Sequence, residues 1–357
     1  MSGIIYPLMI LACSVARAGG LTIAGDDGYL LDAVVDLPKA KAGSRVVVLL
    51  HGSGPQTMDE DLSAVCAPGV TSRLFVDLSA ALTAKGFTVV RCNKRAYQVH
   101  LSAKADPGYF KSDQFAKYAA HPLRYTIDDA KAAVRWARTR YPKARVFVLG
   151  HSEGGIVALH AAREETAVRG VGIIGLSPLG LDSLLFEQTV YRYAEQFSAL
   201  DKDHDGILDD GELKGEGTWV TALRTQKATL DLDHDGRISR DEFLGGQLSN
   251  VLLDLPSQAE YRVDEASVPR PAEIVRDLAV PVTVFQGEWD NQTPAFHARA
   301  VELLNTAVWK KASVSFQYFP RLGHSLDQRN GPEDLVYRPA DPAALAGLAA
   351  ALDRTWR

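Results

Sequence analysis

The sequence predicts an α/β fold with a mostly parallel sheet, helices on both faces and a helical insertion. Three observations support this prediction: short apolar runs alternate with helical patterns, one run passes directly into a glycine-flanked serine, and two acidic repeats interrupt the alternation. Strands buried on both faces are continuously apolar, and their alternation with helices is typical of parallel sheets. The 357 residues suffice for such a domain and an inserted unit.

Composition and charge exclude several functional classes. With 46% hydrophobic and 23% charged residues, the chain can bury a sizeable core. A formal net charge of −5 gives no electrostatic basis for binding nucleic acid. Three cysteines are too few for a disulfide-stabilised scaffold.

Residues 1–18 are predicted to be an export signal. Residues 4–12 form an apolar core, and Ala16-Arg17-Ala18 fits a small-x-small cleavage site. The apolar core is too short to span a membrane. The protein is therefore expected to be exported, either periplasmic or secreted, with a disordered cytosolic tail as the alternative. A lipid anchor at Cys13 also stays open, because residues 10–13 resemble a bacterial lipoprotein box.

Removal of the signal leaves two cysteines, Cys66 and Cys92. Cys92 follows the predicted strand 88–91, and Cys66 lies in the loop after the strand 46–50. These strands are expected to be neighbours, so a disulfide is compatible with an oxidising compartment. Two buried free thiols are the equal alternative.

The remaining elements follow in an order typical of a parallel sheet. Asp26-Asp27-Gly28 is turn chemistry, and its flanks predict an opening β-hairpin over 21–36. Further strands are predicted at 45–50, 88–91, 146–149, 171–176, 280–286 and 313–319, and helices at 74–85, 127–141, 155–162, 294–305 and 342–355. One domain is thus predicted over 19–180 and 266–357, interrupted by an insertion over 181–265.

The candidate nucleophile is Ser152, in the pattern Gly150-His151-Ser152-Glu153-Gly154 between a strand and a helix. A serine exposed on so tight a turn requires positions nearly free of side chain two residues before and after it. The following helix directs its N-terminal amides toward this serine, where negative charge develops during acyl transfer.

An acid and a base follow later in the chain. Asp290 comes after the strand 280–286, and His324 comes after the strand 313–319. Nucleophile, acid and base in this order form a known catalytic arrangement. Glu288 is the alternative acid, whereas His297 falls inside a predicted helix and is the weaker candidate base.

The insertion contains two twelve-residue stretches with the EF-hand pattern, beginning at Asp201 and Asp231. The pattern requires oxygen donors at positions 1, 3 and 5, glycine at 6, a main-chain carbonyl at 7 and glutamate at 12. Leu208 and Ile238 occupy position 8, where paired loops join through a short β-bridge. Two Ca²⁺ sites are predicted, and no organic cofactor. The predicted ligands are Asp201, Asp203, Asp205, Ile207, Asp209 and Glu212 in the first loop, and Asp231, Asp233, Asp235, Arg237, Ser239 and Glu242 in the second.

These features together resemble the α/β-hydrolase superfamily, with the EF-hand pair inserted where that superfamily commonly carries its lid. Five motifs are similar to those of its bacterial esterases and serine-peptidase-like hydrolases: residues 51–55 (HGSGP), 91–95 (RCNKR), 150–154 (GHSEG), 287–290 (GEWD) and 323–324 (GH). The resemblance implies a triad of Ser152 as nucleophile, His324 as general base and Asp290 as the acid orienting it.

The same resemblance implies an oxyanion hole formed by the backbone amides of Ser53 and Glu153. Many relatives have glycine after the Lys-Arg pair, where this chain has Ala96-Tyr97. Tyr97 is therefore expected to narrow or line the pocket.

The resulting expectation is an exported serine hydrolase that cleaves small or medium carboxylic esters and carries a calcium-stabilised lid. A serine peptidase or acyl-peptide hydrolase is the enzymatic alternative, because it would use the same triad. A non-catalytic, calcium-dependent binding module on a hydrolase scaffold is the alternative from another class. The sequence does not indicate the oligomeric state.

Overall fold

The computed structural model describes residues 20–39, 44–215, 218–332 and 334–356. The predicted export signal and Cys13 lie outside these ranges. No helix within them is long and apolar enough to cross a membrane. The described strands are β1 (Leu21–Ala24), β2 (Leu30–Asp36), β3 (Arg45–Leu50), β4 (Thr88–Cys92), β5 (Arg145–His151), β6 (Val168–Ile174), β7 (Ile207–Leu208), β8 (Ile238–Ser239), β9 (Val282–Gly287) and β10 (Val314–Phe319).

Eight of these strands form one sheet in the order β1-β2-β4-β3-β5-β6-β9-β10. β1 and β2 form the predicted antiparallel hairpin, and β2 also pairs antiparallel with β4. All other neighbours in this sheet are parallel. The predicted mostly parallel sheet is therefore confirmed, and the carboxyl ends of β5, β9 and β10 lie at the same edge.

Helices cover both faces of the sheet. α4, α5, α11 and α12 bury apolar residues on one face, and α1 and α13 do so on the other. The described helices are α1 (Leu74–Ala84), α2 (Arg95–Ala105), α3 (Asp113–Ala120), α4 (Pro122–Arg140), α5 (Glu153–Glu164), α6 (Leu181–Phe186), α7 (Arg192–Leu200), α8 (Thr218–Leu230), α9 (Arg240–Asp254), α10 (Ala259–Ala266), α11 (Pro271–Asp277), α12 (Ala295–Leu304) and α13 (Pro342–Thr355).

The insertion is helical and has an apolar core of its own. Aromatic and aliphatic side chains from α7, α8 and α9 pack with those of the two acidic loops. The loops pair antiparallel through β7 and β8, with Leu208 opposite Ile238. Position 8 of each loop thus lies where the EF-hand pattern requires it.

Two helices between β4 and α4 were not predicted from the sequence. α2 buries only Arg95, Val99 and Ala103, and α3 buries no residue fully. Because neither helix carries a long buried apolar stripe, no strong 3.6-residue period of apolar residues predicts them.

Cys66 and Cys92 are free thiols, so the disulfide alternative is not realised. Cys92 packs in the apolar layer on one face of the sheet. The segment of Cys66 instead pairs with Tyr337, which packs against the layer on the opposite face. Burial raises the pKa of the Cys92 thiol to about 12, which keeps it protonated and unreactive.

Candidate active site

Ser152 lies on a strained turn between β5 and α5. Its φ is +56°, in a region that side-chain-bearing residues rarely adopt. A Cβ on Gly150 would lie 1.9 Å from the Gly154 carbonyl oxygen, and one on Gly154 would lie 2.0 Å from the Leu50 oxygen. Both flanking glycines are therefore required by the close packing of this turn, as the sequence pattern predicts.

Asp290 and His324 come together at the same edge of the sheet. The Nδ1 atom of His324 lies 2.9 Å from Oδ2 and 3.0 Å from Oδ1 of Asp290. Both side chains are almost wholly buried. Burial alone would raise the pKa of Asp290, but His324 and the amides of Gln292 and Thr293 hold it below its ordinary value. The carboxylate is thus ionised and fixes the orientation of the imidazole.

The Ser152 turn and the His324 ring meet beside the end of β6. The backbone N–H of Ser152 donates to the Ile174 carbonyl at 2.8 Å. At the next residue, Gly175, an added Cβ would lie only 3.0 Å from Cε1 of His324. The structure therefore brings the three predicted triad residues to one place.

The alternative acid and base occupy other environments. Glu288 is partly exposed and pairs with Arg299. His297 lies in α12, where burial lowers the pKa of its imidazole. Neither makes the contact that joins Asp290 to His324, so the geometry favours the latter pair.

The two predicted oxyanion donors border the same cleft. Among the described residues, neither the Ser53 nor the Glu153 amide donates to another protein group. Lys94 joins their segments, because its Nζ donates to the Gly52 carbonyl and to Oε2 of Glu153, both at 2.9 Å. The Gly52 carbonyl and the Ser53 N–H belong to one planar peptide and point in opposite directions. Lys94 therefore fixes the direction of the Ser53 N–H.

A cleft of about 550 Å³ opens beside these groups. Its walls are mostly apolar, and the insertion contributes one of them through Leu181, Leu184, Leu185, Gln188, Gln258, Tyr261 and Glu265. The expectation for Tyr97 was wrong, because Ala96 lines the cleft and Tyr97 does not. Tyr97 lies on a different face of α2, which the sequence did not predict as a helix.

The acidic loops have a geometry that fits a hard divalent cation. Within each of the trios Asp201, Asp203, Asp205 and Asp231, Asp233, Asp235, carboxylate oxygens lie within 4.8 Å of one another. Gly206 and Gly236 have φ of +80° and +83°, the bend that position 6 requires. These donor sets fit Ca²⁺, with the Ile207 and Arg237 carbonyls available at position 7.

Glu212 and Glu242 fold back onto the loops that they close. Oε1 of Glu212 accepts from the Lys202 amide at 2.6 Å, and Oε1 of Glu242 accepts from the Leu232 amide at 2.7 Å. At position 9, Asp209 and Ser239 accept from the amides of the Glu at position 12 in the same loop. The glutamate at position 12 of each loop thus contacts the amide at position 2 of the same loop.

Two functional candidates were missed from the sequence. Lys94 lies in the motif of residues 91–95, which does not by itself indicate a role for it, and Glu60 lies in no recognisable motif. Glu60 is wholly buried behind the oxyanion loop. An acidic residue in a polar loop resembles any solvated residue, so only the fold reveals these contacts.

Comparison with known proteins identifies similar chains. The model of the alpha/beta hydrolase family matches residues 47–336. Esterase EstD of Thermotoga maritima is 30% identical over 262 residues, which is 73% of this chain and 50% of that protein. The chain thus spans about half the length of that curated relative.

Solved structures resemble this chain at the level of the fold. The Pyrococcus furiosus esterase Pf2001 is 15% identical with a TM-score of 0.51, covering 95% of this chain and 92% of that one. Est1E of Butyrivibrio proteoclasticus is 15% identical with a TM-score of 0.49, covering 94% and 97%.

Proposed function

This chain belongs to the alpha/beta hydrolase family. From that membership, and from the predicted export signal at residues 1–18, we propose that it is an exported serine hydrolase of carboxylic esters. The observation that carries the proposal is the buried His324–Asp290 pair beside a serine held on a strained strand-to-helix turn. The similarity to Esterase EstD supports esters as the substrate class.

In the proposed reaction, Oγ of Ser152 attacks the ester carbonyl carbon while Nε2 of His324 takes the hydroxyl proton. The tetrahedral intermediate collapses to an acyl-serine, and His324 gives the proton to the departing alkoxide. Water then attacks the acyl carbon with the same base, which releases the acid and restores Ser152. Asp290 orients the imidazole and stabilises its positive charge throughout.

The amides of Ser53 and Glu153 would bind the carbonyl oxygen as it becomes negative. These two amides stabilise the transition state most when their N–H directions are fixed, because they then need not reorganise during the reaction. Lys94 supplies that rigidity on the Ser53 side, and its own charge is compensated by Glu153. Lys94 is therefore a positioning residue for the oxyanion hole.

Lys94→Met is expected to lower kcat by about 10- to 100-fold with a smaller change in KM, because an unfixed amide forfeits part of the 100- to 1000-fold typical of one donor. Initial rates on an aryl ester would measure this. Lys104→Met, which removes an exposed lysine of α2, is the matched control. Equal rates for the two variants would remove Lys94 from the proposal.

The cleft favours small or medium acyl chains. Its apolar walls and volume of about 550 Å³ can take an acyl group of several carbons. Hydrolysis of aryl esters of increasing chain length, with Ser152→Ala as the blank, tests this. Ser152-dependent turnover of peptides but not of esters would favour the peptidase alternative, and failure of a fluorophosphonate to label Ser152 would favour the non-catalytic binding module.

We also propose that the two acidic loops bind Ca²⁺ and that the insertion is a lid. The carboxylate trios, the glycine bends and the pairing of β7 with β8 support two sites of the EF-hand type. The insertion lines the cleft, so an ordered lid would complete the substrate-binding wall. Export, proposed from residues 1–18, would expose the protein to abundant calcium and favour a structural role.

Calcium is expected to raise the thermal unfolding midpoint by about 5 °C or more, because a ligand at 100 times its Kd stabilises by about 2.7 kcal/mol. Calorimetric titration of chelator-treated protein should show two sites. Asp201→Asn should weaken one of them at least 10-fold, whereas Asp210→Asn, an exposed neighbour paired with Lys227, should weaken neither. Absence of binding heat and of stabilisation would disprove the calcium sites.

A further inference from the structure

A second carboxylate–imidazole pair lies behind the candidate triad. Glu60 and His151 are both almost fully buried, and Oε1 of Glu60 lies 2.9 Å from Nδ1 of His151. The same oxygen accepts the Gly52 N–H at 2.8 Å. His151 precedes Ser152, and Gly52 precedes Ser53, so one carboxylate oxygen joins the nucleophile turn to the oxyanion loop.

The other nitrogen of the His151 ring contacts the loop of the catalytic base. Nε2 of His151 lies 3.3 Å from the main-chain carbonyl oxygen of His324. A carboxylate and a carbonyl can only accept hydrogen bonds, whereas a neutral imidazole has one N–H. With Glu60 ionised, both contacts are satisfied together only when both ring nitrogens carry hydrogen, that is, when His151 is an imidazolium.

The surroundings favour this ionised pair. Oε2 of Glu60 is buried without a hydrogen-bond partner among the described residues, so the carboxylate depends on a nearby positive charge. Burial works against charge on both groups, but their mutual attraction raises the pKa of His151 and lowers that of Glu60. Asp290 and His324 are the other charged or titratable groups that act on His151. His51 acts on Glu60, and Lys94 and Arg91 in turn act on His51.

His51 does not replace His151 as the counter-charge. Burial lowers the pKa of His51 to about 4, so its ring is neutral at neutral pH. Its Nε2 is buried without a partner among the described residues, and the ring packs on Phe75. Glu60 is therefore neutralised by His151.

We propose that Glu60 and His151 form an ion pair that positions three parts of the active site at once. Glu60 holds the oxyanion loop through the Gly52 amide, and His151 holds the nucleophile turn through its own backbone. The His151 ring holds the His324 loop through the His324 carbonyl. Both are positioning residues, since neither touches the reacting atoms.

The first test measures the ring nitrogens of His151 in the wild-type full-length protein by ¹⁵N NMR, with the signals assigned by comparison with His151→Gln. Two N–H signals that persist at pH 8 are expected. A neutral ring at pH 8 would overturn the proposal. This measurement does not depend on catalysis, so it fails or succeeds independently of the proposed ester hydrolysis.

The second test uses Glu60→Gln, which keeps the shape of the side chain and removes its charge. His151 is then expected to be neutral, so that one hydrogen bond is lost: the one to the His324 carbonyl if the Gln oxygen faces the ring, or the one from the Gly52 amide if the Gln NH2 group does. Given the proposed hydrolysis, kcat should fall about 10- to 100-fold with KM nearly unchanged, since small displacements of catalytic groups have effects of this size. Asp61→Asn, at the exposed neighbouring carboxylate, should match the wild type. An unchanged kcat in Glu60→Gln would overturn the positioning role.

Discussion

Ser152→Ala is expected to lower kcat for an aryl ester by about 10⁴- to 10⁶-fold, the range found when a serine-hydrolase nucleophile is removed. The rate falls because the turn at φ +56° holds only the Ser152 hydroxyl at the position of the nucleophile, and alanine supplies no hydroxyl there. Alanine can adopt the same turn, so the fold and the melting temperature should change little. Initial rates and the mass shift after fluorophosphonate treatment measure the two consequences.

Ser198→Ala is the matched control for this experiment. Its hydroxyl lies on the exposed face of α7 and donates to the Ala194 carbonyl, so the variant should keep the wild-type rate and still be labelled. A Ser152→Ala protein that retains more than about a tenth of the rate would contradict the assignment, since no other group is expected to replace the nucleophile.

Asp290→Asn is expected to lower kcat by about 10⁴-fold. The NH2 group of the asparagine can donate to Nδ1 of His324, which favours the wrong tautomer of the imidazole. The carboxylate is already fully used: Oδ1 accepts from the Gln292 and Thr293 amides at 2.8 and 2.9 Å. Oδ2 accepts from the Thr293 hydroxyl at 2.8 Å. Rates at several pH values would separate the tautomer effect from unfolding.

Glu288→Gln distinguishes the two candidate acids. Glu288 is partly exposed and paired with Arg299, so its substitution should change kcat by less than about twofold, as expected for a surface pair. If Glu288→Gln were the severe variant and Asp290→Asn the mild one, the triad would have to be redrawn with Glu288 as the acid.

The candidate triad could be predicted from the sequence because each residue follows a strand or begins a helix. Parallel strands with one chain direction place their carboxyl ends at one edge, so Ser152, Asp290 and His324 converge without long-range information. The acidic loops could be predicted for a similar reason, since twelve consecutive residues carry the whole ligand pattern.

Other features depended on contacts between distant segments. Whether Cys66 and Cys92 meet is decided by the face of the sheet to which each segment packs, and the sequence left both outcomes open. The prediction that Tyr97 lines the pocket was wrong because the sequence does not show which face of α2 points toward the cleft.

Local patterns with fixed spacing are enough to predict the order of nucleophile, acid and base along the chain, the nucleophile turn with its two glycines, and the two acidic loops. Packing of the folded chain is needed to place Lys94 between Gly52 and Glu153, to join Glu60 to Gly52 and His151, and to bring the insertion to the cleft. The bonds of Lys94 with Gly52 and of Glu60 with His151 span 42 and 91 residues and leave no periodic trace in a single chain. They exist only once packing has brought those loops together and removed water from between them.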